Sequence, residues 1–120
     1  MRQLMDIAED ARRVKHAVAA LGTNDKNRGL LAIADALLTH ADEIIAANRI
    51  DIENGRANGL NDGLTDRLTL DEKRIAGIAE GCRQVVALPD PIGEVLWMRK
   101  TPNGLNIGQK RVPMGVIGII

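Results

Sequence analysis

The sequence predicts a mainly α-helical chain that passes into a β-hairpin and finishes as one strand of a buried parallel sheet, an α/β class with its helices first. Three observations predict it. Apolar residues up to Leu88 recur at spacings of three and four, the period of an amphipathic helix. Thr101-Pro102-Asn103-Gly104 places turn residues in the order of a type I turn, between two strand-like runs. The terminal run Pro113 to Ile120 is apolar without alternation, as in a strand covered on both faces.

The first helix is read from Leu4, Ile7, Ala8, Ala11, Val14, Val18 and Leu21, which share one face, with Gly22 as its stop. Thr23 stands where an N-cap belongs, with Asn24 and Asp25 in the first turn of a second helix. That helix carries Leu30, Leu31, Ile33, Ala34, Leu37 and Leu38, an arc wide enough to pack on more than one side. Thr39 is the expected cap of a third helix that stops at Asn58-Gly59. Thr69 and Glu72 spell a capping box ahead of the stripe Ile75, Ile78, Ala79, Cys82, Val85 and Val86. Two prolines and a glycine in "LPDPIGE" then end helix formation, Val95 to Lys100 is the first hairpin strand and Leu105 to Val112 the return. The organisation expected is a helical segment over 1–88, a linker and hairpin over 89–112, and a sheet strand over 113–120.

Composition narrows the function. The chain has 120 residues, within the size of one domain, and its 16 basic and 16 acidic side chains cancel, so no global field draws in nucleic acid or anionic lipid. The residues from Val95 onward hold Arg99, Lys100, Lys110 and Arg111 and no acid, a local basic patch that suits a solvated strand edge. No apolar run approaches the roughly 20 residues of a membrane span, and no secretory leader precedes the first helix, so a cytoplasmic setting is expected. Trp97 is the only aromatic residue, which leaves a core of aliphatic side chains and alanine.

Few residues invite chemistry. Cys82 is the only cysteine and falls on the apolar stripe of its helix, where a thiol is a packing group. His16 and His40 lack metal-ligand spacing and are expected in solvent. Asp51-Ile52-Glu53-Asn54-Gly55 is set aside as a calcium loop, because its glycine comes one position early and no bidentate glutamate follows. No catalytic residue and no metal site is expected in the chain. Gly115 and Gly118 do not form GxGxxG, and glycine in an apolar strand marks a close approach by another backbone or a ligand.

Five segments, "KNRGLLAIADAL", "ADEIIAANRIDIENGRANGL", "DRLTLDEKRIAGIAEGCRQVVALPDPIGEV", "PNGL" and "RVPMGVIGII", resemble in order and spacing the N-terminal part of the gamma-glutamyl phosphate reductases, of the aldehyde dehydrogenase superfamily. "LWMRKTPNGL" departs from the acidic or glycine-containing stretch expected ahead of such a turn. The resemblance implies a parent several times longer, with a Rossmann-type cofactor domain, of which this sequence is a fragment cut as a sheet strand finishes. It implies NADPH-dependent reduction of L-glutamyl 5-phosphate to L-glutamate 5-semialdehyde and phosphate, through a thioester on a cysteine downstream of Ile120. By the same resemblance Gly118, Ile119 and Ile120 are cofactor-binding, Cys82 is not the nucleophile, and the hairpin serves homo-oligomer contacts. The competing expectation is a free-standing helical interaction module with a basic hairpin.

Overall fold

The computed structural model describes residues 3–119. Its elements are α1 (Leu4–Ala19), α2 (Thr23–Thr39), α3 (Ala41–Ala57), α4 (Asp62–Leu68), α5 (Glu72–Val86), β1 (Val95–Lys100) and β2 (Asn106–Lys110). They fall into two compact units: residues 24–88, and the remainder before and after them.

The unit of residues 24–88 is helical, and its buried apolar residues are Ala34, Ile75 and Ala79. On α5 the covered face runs Ile75, Ala79, Cys82, Val86, at spacings of four, three and four, with the last two half-buried. Ile78 and Val85, expected on the same stripe, are turned away and are 48% and 50% exposed. On α2 the covered strip is likewise narrower than the apolar arc: Leu30, Ala34 and Leu37 are covered, whereas Leu31, Ile33 and Leu38 are exposed. Polar contacts tie α2 to α5, where Asn27 Nδ2 donates to the Val86 carbonyl at 3.5 Å and Arg83 reaches Asp35 at 3.4 Å.

Two expected caps are displaced. Thr39 ends α2 instead of opening α3, because its hydroxyl donates back to the Asp35 carbonyl at 2.8 Å. His40 takes the cap position, its Nδ1 lying 3.1 Å from Glu43 Oε1. Thr69 closes a helix the sequence pattern had not marked, α4, whose cap Asn61 accepts from Leu64 N at 2.9 Å. With the Thr69 hydroxyl and N–H both committed to the Thr65 carbonyl, at 2.7 and 3.0 Å, no capping box forms with Glu72. Asp71 caps α5, accepting from Arg74 N at 2.7 Å. The expected stop of α3 holds: Asn58 is its C-cap and Gly59 follows at φ 83°.

Polar groups fasten this unit as firmly as its small core does. Asn48 of α3 is buried and spans the α4 to α5 connection, donating from Nδ2 to the Leu68 carbonyl at 2.9 Å and accepting from Leu70 N at 2.7 Å. Arg74 covers the C-terminal carbonyls of α4, donating to Asp66 O, to Thr69 O at 2.7 Å and to the Asp66 carboxylate at 2.7 Å. A guanidinium there satisfies acceptors that the last turn of a helix leaves open and sits at the negative end of its dipole.

The other unit holds α1 and the hairpin. The Asp6 carboxylate accepts the Gln3 N–H at 3.2 Å at the start of α1, and the expected stripe is present but uncovered, with Leu4, Ile7, Val14 and Val18 from 47% to 80% exposed. The hairpin forms at the expected turn. Gly104 N donates to Thr101 O at 2.9 Å and Thr101 N to Leu105 O at 2.8 Å, closing a type I turn followed by Gly104 at φ 90°, a conformation that favours glycine. The antiparallel register pairs Lys100 with Asn106, Met98 with Gly108 and Trp97 with Gln109, with a bulge between Val95 and Trp97. At Gly108 a Cβ would lie 2.8 Å from the Trp97 carbonyl oxygen, so this crossing needs glycine.

The expected strand over 113–120 is not formed across its described residues, 113–119. A strand is defined by its ladder, and these residues pair with no neighbouring strand: the hairpin is a two-stranded sheet of β1 and β2 alone. Return strand β2 accordingly ends at Lys110, short of the expected Val112.

Candidate functional site

The segment singled out by sequence leaves the hairpin at a fixed point. Arg111 N donates to Glu94 O at 2.9 Å, Gly93 N donates to Arg111 O at 3.0 Å, and the Arg111 guanidinium meets the Glu94 carboxylate at 2.9 Å. Beyond this anchor the chain is irregular and exposed. Gly115 has φ 109°, nothing lies within 4 Å of where a Gly118 Cβ would project, and Ile119 is 93% exposed. Gly118 and Ile119 therefore present bare backbone and an uncovered side chain. Ile120, the third expected cofactor residue, lies outside the described residues.

One open depression of about 480 Å³ lies along the polar face of α1, lined by Glu9, Arg12, Arg13, Lys15 and His16. Another, of about 370 Å³, is lined by Leu38, Thr39, Ala41, Asp42, Glu72 and Ala76 of the helical unit. Cys82 is a free, half-buried thiol on the covered face of α5. Among the described residues no three His, Cys, Asp or Glu side chains converge as metal ligands, and no helix is long and apolar enough to cross a membrane.

One arrangement escaped the sequence reading. Trp97 Nε1 donates across the hairpin to Gln109 Oε1 at 3.0 Å, and the Arg99 guanidinium carbon lies 5.6 Å from the Trp97 ring centroid, within range of a cation–π contact. Two of the three residues were placeable, since Trp97 and Arg99 alternate onto one face of β1. Gln109 faces them because the register counted from the turn runs without interruption from Lys100–Asn106 to Trp97–Gln109, the bulge lying beyond it.

No family model matches. The reductase named gamma-glutamyl phosphate reductase in Lachnospira eligens is 51% identical over 120 residues, all of this chain and 29% of the relative. Its namesake in Halothermothrix orenii is 52% identical over 118 residues, 98% of this chain and 28% of the relative. The crystal structure of gamma-glutamyl phosphate reductase from Thermotoga maritima superimposes with a TM-score of 0.86 at 37% identity, over 93% of this chain and 27% of that one. Over its whole length this chain is similar to proteins named gamma-glutamyl phosphate reductase. The Saccharomyces cerevisiae reductase extends the likeness to a eukaryote, with a TM-score of 0.80 at 30% identity over 94% of this chain and 29% of that one. The chain thus spans under a third of the length of the curated reductases it matches.

Proposed function

We propose that these residues are the N-terminal part of a gamma-glutamyl phosphate reductase, an NADPH-dependent enzyme of the aldehyde dehydrogenase superfamily that reduces L-glutamyl 5-phosphate to L-glutamate 5-semialdehyde and releases phosphate. The reading rests on likeness at about half identity over the whole chain, matched by the backbone of a reductase of known structure. In the whole enzyme a cysteine thiolate outside this chain displaces phosphate to leave a thioester, and NADPH supplies the hydride that reduces it. Residues 1–88 form the N-terminal helical segment of the cofactor-binding domain, 89–112 a linker and hairpin for contacts in a homo-oligomer, and 113–120 a strand of the dinucleotide-binding sheet. Gly118, Ile119 and Ile120 are its cofactor-binding residues. The bare backbone at Gly118 fits that role, since a ligand can approach it with no side chain in the way. Cys82 packs within α5 and takes no part in the chemistry.

The 120-residue chain by itself is therefore expected to be inert. Incubation with NADPH and L-glutamyl 5-phosphate, or with the semialdehyde, phosphate and NADP in the reverse direction, should give the rate of the buffer blank. Turnover abolished by Cys82→Ala would place the nucleophile on α5 and contradict the assignment.

A further inference from the structure

The bonding between the hairpin arms runs one step past β2. Beyond the pair of Val95 with Lys110, Arg111 N donates to Glu94 O at 2.9 Å, Gly93 N donates to Arg111 O at 3.0 Å, and Arg111 Nε lies 2.9 Å from Glu94 Oε2. A turn holds the Glu94 side of this contact: Glu94 N donates to Pro91 O at 3.3 Å, Gly93 takes φ 91°, and the Asp90 carboxylate accepts from Ile92 N at 3.0 Å. Two residues after Arg111, where the next donor of an antiparallel ladder belongs, Pro113 has no N–H. The chain must therefore leave the hairpin at Arg111. We propose that Arg111 and Glu94 are positioning residues, whose ion pair sets the register in which residues 113–120 enter the sheet and so brings Gly118 to the cofactor.

This rests on the reading of 113–120 as a sheet strand and of Gly118 as a cofactor residue, and it names what fixes their position. A parallel strand has no tight turn to its neighbour, and a hydrophobic pattern fixes register only where the two faces differ. Here both faces are apolar: Val112, Met114, Val116, Gly118 and Ile120 alternate with Pro113, Gly115, Ile117 and Ile119. A slip of two residues would bury an equally apolar set, yet it would move Gly118 by about 7 Å and put Val116 or Ile120 in its place. A branched side chain would then stand where the cofactor meets bare backbone. An anchor at Arg111 removes that ambiguity, because the number of residues from Arg111 to Gly118 is fixed. The ion pair is half-exposed on both sides, 53% and 54%, so it adds little to stability and acts on geometry.

The test uses the Thermotoga maritima reductase carrying these 120 residues in place of its matching stretch, with NADP affinity read by titration and folding by thermal unfolding. Arg111→Glu sets two carboxylates together and should raise the NADP dissociation constant about threefold to tenfold at an unchanged unfolding midpoint. Adding Glu94→Arg restores the attraction with the charges exchanged and should return the constant to within about twofold. A Gly-Gly insertion after Val112 leaves the pair intact but displaces Gly118, and should weaken NADP binding by about tenfold or more. In the 120-residue chain alone, Arg111→Glu should speed hydrogen exchange at the Gly93 N–H several-fold and leave the α5 amides unchanged. Unchanged NADP affinity in Arg111→Glu or in the insertion overturns the proposal, and so does a loss that the exchanged pair fails to restore. An unsubstituted chimera that folds without binding NADP overturns the reading of Gly118 and the positioning role with it. If the chimera does not fold, the exchange measurement decides, and an unchanged rate at Gly93 overturns the role.

Discussion

Asn48→Leu is expected to lower the unfolding free energy of the helical unit by about 2–3 kcal/mol, because it strands a donor and an acceptor that are covered in the native state. Asn48 is 6% exposed and holds the α4 to α5 connection at both ends of its amide, through Leu68 O and Leu70 N. Leucine is nearly isosteric and more apolar, so simple burial of apolar surface favours the variant. The backbone groups it leaves unpaired reverse the sign. Asn48→Asp separates the two halves of the clamp: the carboxylate still accepts from Leu70 N but has no donor for Leu68 O. Urea unfolding followed by circular dichroism should show a reduced midpoint for both variants at unchanged slope. A midpoint for Asn48→Leu equal to or above the unsubstituted chain would show that the amide is dispensable.

Ile75→Ala is expected to be at least as damaging, at about 2–4 kcal/mol, through loss of buried methyl groups and the cavity they leave. Ile75 is the largest fully buried side chain described, 1% exposed, and its core companions Ala34 and Ala79 are too small to fill the gap. Ile78→Ala is the internal control. At 48% exposure and three residues away it removes the same atoms from the same helix, and its cost should stay below about 1 kcal/mol. Equal losses at the two positions would mean that the covered face of α5 has been assigned to the wrong side.

The contrast between those isoleucines marks how far the sequence could be read. Periodicity identified α1, α2 and α5, and the stop at Asn58-Gly59 marked α3, but periodicity grades an apolar residue only by its angle. Which part of a broad stripe is covered depends on the partner helix, and this separates Ile75 from Ile78. The hairpin turn was legible to the residue because its signal is local: Pro102 and Gly104 satisfy backbone angles whatever surrounds them. The caps were not, because Thr69 and Asp71 are both competent and the choice is made by α4, a helix of seven residues with too little length to show a period. Asn48 has no signal of its own in the sequence. Only the return of the chain at Leu68 and Leu70 makes it a buried clamp. The apolar character of 113–120 was plain, but a strand is a relation between two segments, and among the described residues 113–119 pair with neither β1 nor β2.

The assignment to the reductases meets its most direct test in a chimera, in which these 120 residues replace the matching stretch of the Thermotoga maritima reductase, 27% of that chain. The quantity to measure is phosphate-dependent reduction of NADP by L-glutamate 5-semialdehyde, with folding checked by thermal unfolding. A chimera that turns over within about tenfold of the Thermotoga enzyme, a difference of about 1.4 kcal/mol in transition-state stabilisation, is the predicted result. A chimera that folds cooperatively and binds NADP but shows no turnover would contradict it.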